Sequence, residues 1–385
     1  MAGRAPLQAL MVINSLAGGG AERVFSTLVR QLHSQSQELS ITVVLLDEEP
    51  HEAYTLPDGV SVVRLDTKGG IVRSIAGLYK LVRRLRPDIA LSFLSRANIA
   101  TIVAMQAVGR PAIVSERVHT SAHLATSRLA FISRFLIRNC YPRAQQVIAV
   151  SQGVADGLEE EFAVSRARTC VIYNPVDVAG IRELAAQEPE IAVSSDDFVT
   201  MGRLVPNKNT AMAIRALSRS GMAGRLLVLG EGPLRAELEA LAQELGLGPR
   251  VHFVGFVANP HAILARAGGY LLTSNAEGFP NAMVEAMATG LPVIATDCPS
   301  GPAEILGVEL DYGDVAWGRG GVLVAMSDDA AMARCMDRFL DPGVREKVSR
   351  EASDRVEAFS MEHAVEMFRR RIVSTALGGR EEACA

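Results

Sequence analysis

Residues 9–13 are apolar without a break, and predominantly apolar runs recur at 41–46, 60–65, 89–93, 112–115 and 147–150. The second half repeats the pattern at 198–202, 226–229, 251–256, 270–273 and 292–296. Short, mostly apolar runs of this kind predict strands of a buried parallel sheet. Between them lie segments with helical spacing. In 71–86, Ile71, Ile75, Leu78, Val82 and Leu85 form one stripe while Arg73, Lys80 and Arg84 fall opposite it. Helices are likewise predicted at 21–33, 129–139, from Thr210, and at 234–245. A further one at 281–289 is followed by Gly290 as its C-terminal stop. From Arg345 the chain reads as helical and charged, and the tail from Gly378 as frayed. Strand and helix alternate in both halves, which makes the expected class α/β.

The length of 385 residues exceeds what one core usually supports, so two domains are expected. An apolar fraction of 49% with 21% charged residues describes an ordinary globular composition. Cys140, Cys170, Cys298, Cys335 and Cys384 are scattered, without a Cys-x-x-Cys pair, and no histidines cluster at metal spacing. That points to a reduced, cytoplasmic compartment and to no structural zinc. No apolar run reaches the roughly 18 residues of a membrane span. The N-terminus reads better as a first strand and its glycine turn than as a signal peptide. Residues 1–175 carry 19 Lys+Arg against 14 Asp+Glu, a balance of +5, and the remainder carries 20 against 29, or −9. The first half therefore favours an anionic partner, such as an acidic membrane surface or a phosphate-bearing acceptor. Nucleic acid is not expected, because the basic residues are not interleaved with aromatics and the net charge is −4.

The most informative stretch is 271–306. A strand ends in a polar loop carrying Glu277, a helix carrying Glu285 follows, then a second strand and a second polar loop. This is a βαβ unit, whose ligands lie beyond the carboxyl ends of the strands. Loop amides and a helix N-terminus there favour a phosphate or polar sugar, and a carboxylate just inside the helix suits a sugar diol. Two other loops have related chemistry. Gly18, Gly19 and Gly20 open a helix after the first strand, allowing close backbone approach to a ligand. Arg203 and Lys208 share one loop after the strand at 198–202, a pair of cations at a strand's carboxyl end.

Glu277 and Glu285 with seven residues between them, the intervening Gly-Phe-Pro-Asn, and the following Glu-Ala-Met-Ala-x-Gly-Leu-Pro-Val-Ile-Ala-Thr resemble the retaining nucleotide-sugar glycosyltransferases of family GT4. Cys-Pro-Ser-Gly-Pro-Ala-Glu-Ile-Leu, beginning at Cys298, is similar to the branch that builds lipid-linked oligosaccharides and lipopolysaccharide cores. The resemblance covers nearly the whole chain and implies the GT-B arrangement, two facing Rossmann-like domains with a cleft between them. Residues 1–175 would bind the acceptor and 190–360 the nucleotide sugar, with a C-terminal helix at about 361–385 packing back on the first domain. Asn-Pro-Val-Asp at 174–177 resembles the interdomain hinge.

The resemblance also implies roles. Arg203 and Lys208 would hold the diphosphate, so that no metal and no cofactor is required. Glu285 would accept from the ribose hydroxyls. Glu277 and the amides of Gly278, Phe279, Pro280 and Asn281 would hold the donor sugar, and Phe256 and Val257 would pack on the base. Gly19 and Gly20 would face the donor, with Gly18, Glu116 and Arg117 lining the acceptor cleft. The family often carries a histidine just past the strand at 112–115. Here Arg117 holds that position and His119 comes two residues later, so His119 enters as the candidate near the reacting carbon. The implied reaction moves a hexose or N-acetylhexosamine from a UDP-sugar to a lipid-linked or cell-surface glycan. It would occur in the cytoplasm, peripheral on the inner face of the cytoplasmic membrane, with contact through 71–86 and 128–139. In the latter, Phe131, Ile132, Phe135 and Leu136 form an apolar patch bordered by Arg134 and Arg138. The alternatives are a GT-B sugar-nucleotide epimerase and a non-catalytic nucleotide- or glycan-binding paralogue.

Overall fold

The computed structural model describes residues 5–117, 130–310 and 313–378. They form two compact units, one of Met1–Pro175 with Glu362–Ala385 and one of Val176–Met361.

The first unit is built on seven strands: β1 Leu7–Ile13, β2 Leu39–Leu45, β3 Ser61–Arg64, β4 Ile89–Phe93, β5 Ala112–Glu116, β6 Gln146–Ala149 and β7 Thr169–Val171. Their order is β3-β2-β1-β4-β5-β6-β7, and every pairing is parallel. Parallel neighbours need crossovers, most of them supplied by helices, so the inner strands are covered on both faces and read as largely apolar runs, whereas the edge strand β3 is half-exposed and carries Ser61 and Arg64. Leu10, Val12, Val44 and Ala90 pack beneath Leu78, Leu81 and Val82 of the helix Ile71–Leu85 and Ala97 and Ala100 of the helix Ser95–Gln106. The helix Ile71–Leu85 buries Leu78 and Val82 of the predicted stripe and half-buries Ile71 and Ile75. Leu85 is left exposed at the rim, where Arg86 adopts a left-handed conformation and ends the helix. Arg73, Lys80 and Arg84 face solvent. The C-terminal helix Met361–Ala376 joins this unit through Phe368, stacked 6.1 Å from Phe93, which in turn meets Phe25 edge-on at 5.4 Å.

The second unit repeats the plan with β8 Phe198–Met201, β9 Leu226–Leu229, β10 Val251–Gly255, β11 Gly269–Leu272, β12 Val293–Thr296, β13 Val315–Gly318 and β14 Gly321–Val324. The order is β10-β9-β8-β11-β12-β14-β13. β14 runs parallel to β12, and β13 turns back antiparallel through a tight hairpin with Gly318 opposite Gly321. The apolar pattern did not predict this hairpin, because its glycines interrupt the run. Val322, Leu323 and Val324 are nevertheless fully buried. In both units strand order reverses beside the first strand, between β1 and β4 and between β8 and β11. Such a switch point opens a crevice at the carboxyl ends of the strands. Among the described residues no helix is long and apolar enough to cross a membrane.

Candidate active site

The switch point of the second unit is flanked by the loops that leave β8 and β11, and these two loops are sewn together. The Asn275 amide donates to Asn207 O at 2.8 Å, Asn207 Nδ2 to Ala276 O at 2.8 Å, and Thr273 Oγ1 to Lys208 O at 2.9 Å. From below, Thr296 Oγ1 at the end of β12 donates to Ser274 O at 2.6 Å. The Glu277 amide donates to Pro299 O in the loop after β12, at 3.3 Å. These bonds hold Lys208 Nζ 2.5 Å from Glu277 Oε1, an oxygen that also accepts from Ser274 Oγ at 2.6 Å. Among the described residues Glu277 Oε2 receives no hydrogen bond, so the carboxylate is braced on one oxygen and presents the other.

Arg203 lies exposed on the same loop as Lys208, and its guanidinium makes no ion pair among the described residues. Glu285 sits on the helix Asn281–Ala288 and is only 7% exposed. Facing it is His261, whose Nε2 lies 3.6 Å from Glu285 Oε2. Tyr270 on β11 is fully buried. Burial raises its phenol well above the ordinary range, and the charges of Glu277 and Glu285 add to the shift. The phenol stays neutral and donates to Met201 O at 3.3 Å, tying β11 to β8. The Cys298 thiol is pushed up to about 12, mainly by burial and then by Glu277. It is therefore a packing group rather than a nucleophile. Among the described residues no group of three or more His, Cys, Asp or Glu side chains is placed to hold a metal ion.

Close backbone contacts shape this surface. Gly230, at φ +130°, lies so near the β8 loop that a Cβ there would come within 2.1 Å of Gly202 O. At Gly301, φ +98°, a Cβ would meet Pro280 Cδ at 2.5 Å. The Phe279 ring is buried and packs edge-on against Phe359 at 5.5 Å, under the loop. The four residues expected to offer amides to a sugar are not equivalent. Pro280 has no N–H, and the Asn281 amide is already spent on Phe279 O at 2.9 Å. Gly278 keeps an amide that no described residue accepts. Phe256 projects from the end of β10 with 85% of its surface exposed, and Val257 beside it is half-buried.

In the first unit, Gly18, Gly19 and Gly20 are exposed between β1 and the helix Gly20–Gln35. The Glu22 carboxylate folds back over Gly19, where a Cβ would meet its Oε2 at 2.4 Å, and burial raises the Glu22 pKa. Glu116 and Arg117, expected to line the acceptor cleft, are buried. Glu116 is 1% exposed and accepts from Tyr141 Oη at 2.6 Å. Arg117 is 7% exposed, donates to Ser115 Oγ at 3.2 Å and to Asn174 Oδ1, and lies 5.0 Å over the Phe93 ring. Burial lowers its guanidinium to about 9, against the pull of Glu116. The physical reason is position: both close the carboxyl end of β5, where their charges are met inside the unit. His119 lies outside the described residues.

Sequence reading missed Ser274, which braces Glu277, and His261, which faces Glu285. Ser274 lies within the motif, and its distance of three residues from Glu277 was the available signal. His261 belongs to a different helix, and nothing in its local sequence points to Glu285.

Residues 18–179 match the family described as Glycosyltransferase Family 4, and residues 195–342 match Glycosyl transferases group 1. A Campylobacter jejuni protein named as an N-acetylgalactosamine-N,N'-diacetylbacillosaminyl-diphospho-undecaprenol 4-alpha-N-acetylgalactosaminyltransferase is 29% identical, over 90% of this chain and 94% of its own. The lipopolysaccharide core biosynthesis glycosyltransferase LpsD of Rhizobium meliloti is 25% identical, over 90% of this chain and 92% of its own. Among solved structures, Anabaena HepE in complex with UDP superposes with a TM-score of 0.76 at 21% identity, covering 96% of this chain and all of that one. The lipopolysaccharide outer core galactosyltransferase WaaB superposes at 0.74 with 20% identity, covering 96% and 99%. Matched in both halves and alike in fold along nearly its whole length, the chain belongs to the family 4 glycosyltransferases, enzymes of the GT-B fold.

Proposed function

We propose that this glycosyltransferase takes its sugar from a UDP-sugar, retains the anomeric configuration, and delivers a hexose or N-acetylhexosamine to a lipid-linked or lipopolysaccharide-type glycan. The observation that carries the reading is the Lys208–Glu277 pair at the β8/β11 switch point, with Arg203 beside it and Glu285 buried on the helix that follows. In this reading Arg203 and Lys208 take up the charge that grows on the diphosphate as the glycosidic bond breaks, a stabilisation felt most in the transition state. That is the role a divalent cation would otherwise fill. Glu277 offers Oε2 to a donor-sugar hydroxyl, and Glu285 accepts from the ribose diol. The named activities of the Campylobacter and Rhizobium relatives support a lipid-linked or core glycan acceptor, and the UDP complex of HepE supports the nucleotide.

The test is thermal stabilisation by UDP, GDP and ADP, each with a chelator present, on wild type and Glu285→Ala. A ligand at a hundred times its dissociation constant stabilises by about 2.7 kcal/mol, which a melting curve resolves. A UDP-selective shift that vanishes in the variant is expected. No shift with any nucleotide would favour a non-catalytic paralogue, and conversion of one UDP-sugar into another without an acceptor would favour an epimerase.

The same reading places the enzyme at the cytoplasmic face of a membrane. Phe131, Ile132 and Phe135 on the helix Ala130–Cys140 are exposed by 83%, 53% and 59%, an apolar patch that suits the acyl–headgroup boundary. The arginines expected to border it are engaged otherwise. Arg134 pairs with Glu161 at 2.6 Å, and Arg138 donates to Glu161 O at 3.0 Å. The positive charge would therefore come from Arg73, Lys80 and Arg84. Replacing Phe131 and Phe135 together by Ser should abolish co-sedimentation with vesicles containing anionic lipid. Unchanged co-sedimentation would remove this helix from the proposal.

A further inference from the structure

We infer that His261 is a positioning residue for the Glu285 carboxylate, fixing the oxygen that meets the nucleotide ribose; the inference rests on the nucleotide-site reading above. The placement of His261 is built in. Asn259 Nδ2 donates to Leu184 O at 2.9 Å and to Gln187 Oε1 at 3.1 Å, and Pro260 then starts the short helix Pro260–Leu264. Ala262, Ile263 and Leu264 on that helix are fully buried. The imidazole is nearly so, its side chain 12% exposed, and among the described residues neither ring nitrogen has a hydrogen-bond partner. The polar atom it faces is Glu285 Oε2, at 3.6 Å.

A buried imidazole with two unsatisfied nitrogens costs free energy that an apolar side chain of the same size would not. Such a group needs a compensating role, and the carboxylate beside it supplies one. At 3.6 Å the pair is beyond hydrogen-bond range. A contraction of about 0.7 Å would make a charge-assisted bond of ordinary length. Donation from Nε2 to Oε2 would restrain the carboxylate torsion. The remaining lone pairs would then be held toward the diol. Preorganisation of this kind raises ligand affinity without any direct contact to the ligand.

The test is calorimetric titration of UDP, with chelator present, into wild type, His261→Phe, His261→Gln, Glu285→Ala and the His261→Phe/Glu285→Ala double variant. Phe fills the space but cannot donate, whereas Gln can. His261→Phe should weaken UDP binding about tenfold, the worth of one hydrogen bond to a charged group. His261→Gln should stay within about twofold of wild type. In the Glu285→Ala background the Phe substitution should cost nothing more, because interacting residues are not additive. Wild-type affinity in His261→Phe, equal losses in Phe and Gln, or additive losses in the double variant would overturn the inference. If His261→Phe does not melt cooperatively, the smaller His261→Leu replaces it in the same cycle. An unchanged affinity in Glu285→Ala would overturn the nucleotide site itself. A loss there without one in His261→Phe overturns only the positioning role.

Discussion

Lys208 and Glu277 illustrate how one side chain changes the meaning of another. Glu277 Oε1 is committed to Lys208 and Ser274, which leaves Oε2 for a ligand and keeps the ammonium aimed into the crevice. Lys208→Ala should lower kcat about a hundredfold, the scale for removing one preorganised charge-stabilising donor, measured as acceptor-dependent UDP release over a membrane lipid extract. An unaltered kcat would remove Lys208 from the chemistry. At Gly230 the constraint is steric. A Cβ would lie 2.1 Å from Gly202 O at a φ of +130°, so Gly230→Ala should cost about 2–4 kcal/mol in urea unfolding. Asp197 is different again. Burial raises its pKa, but bonds from Arg225 and from the amides of Ser194 and Arg225 outweigh that and hold it below the ordinary value. Its stabilisation is therefore complete above the unfolded carboxylate pKa and is lost as pH falls through the lower folded one. Asp197→Asn should be about 2 kcal/mol less stable at neutral pH. The gap should close below about pH 4, and a gap that persists in acid would point to packing alone.

At the scale of elements, the helix Met361–Ala376 shows why chain order and unit membership differ. It follows the second unit in sequence, yet its Phe368 ring completes the aromatic cluster of Phe25 and Phe93 in the first. Phe368→Ala should destabilise that unit by about 3–5 kcal/mol, and hydrogen exchange should show 361–376 opening first. Protection equal to wild type would mean that other contacts hold the helix. The helix Asn281–Ala288 is legible in sequence because Gly290 stops it, here at φ +79°, and because its neighbours are apolar strands. The β13–β14 hairpin was not legible, because glycines at 318, 320 and 321 break the apolar pattern on which strand recognition depends.

At the scale of the molecule, the proposed nucleotide contacts lie in the loops after β8 and β11 of one unit. UDP should therefore slow amide exchange at 202–209 and 273–285 while leaving β4 and β5 of the other unit unchanged. Equal protection throughout would argue for a global effect instead. Periodicity and composition by themselves determined that the chain is an α/β protein with largely parallel sheets, because a strand covered on both faces is mostly apolar. The motif around Glu277 and Glu285 determined the family, because a loop and a helix start that cradle a ligand constrain many consecutive residues. What lies far apart in the chain was settled only by folding. Lys208 meets Glu277 across 69 positions because parallel register sets β11 beside β8. His261 reaches Glu285 because two helices pack together. Glu116 and Arg117 read as cleft-lining residues in sequence and are buried in the fold, because their partners Tyr141 and Asn174 come from distant segments. Local pattern follows from the few residues around each position, whereas burial and pairing of charge depend on which strands become neighbours.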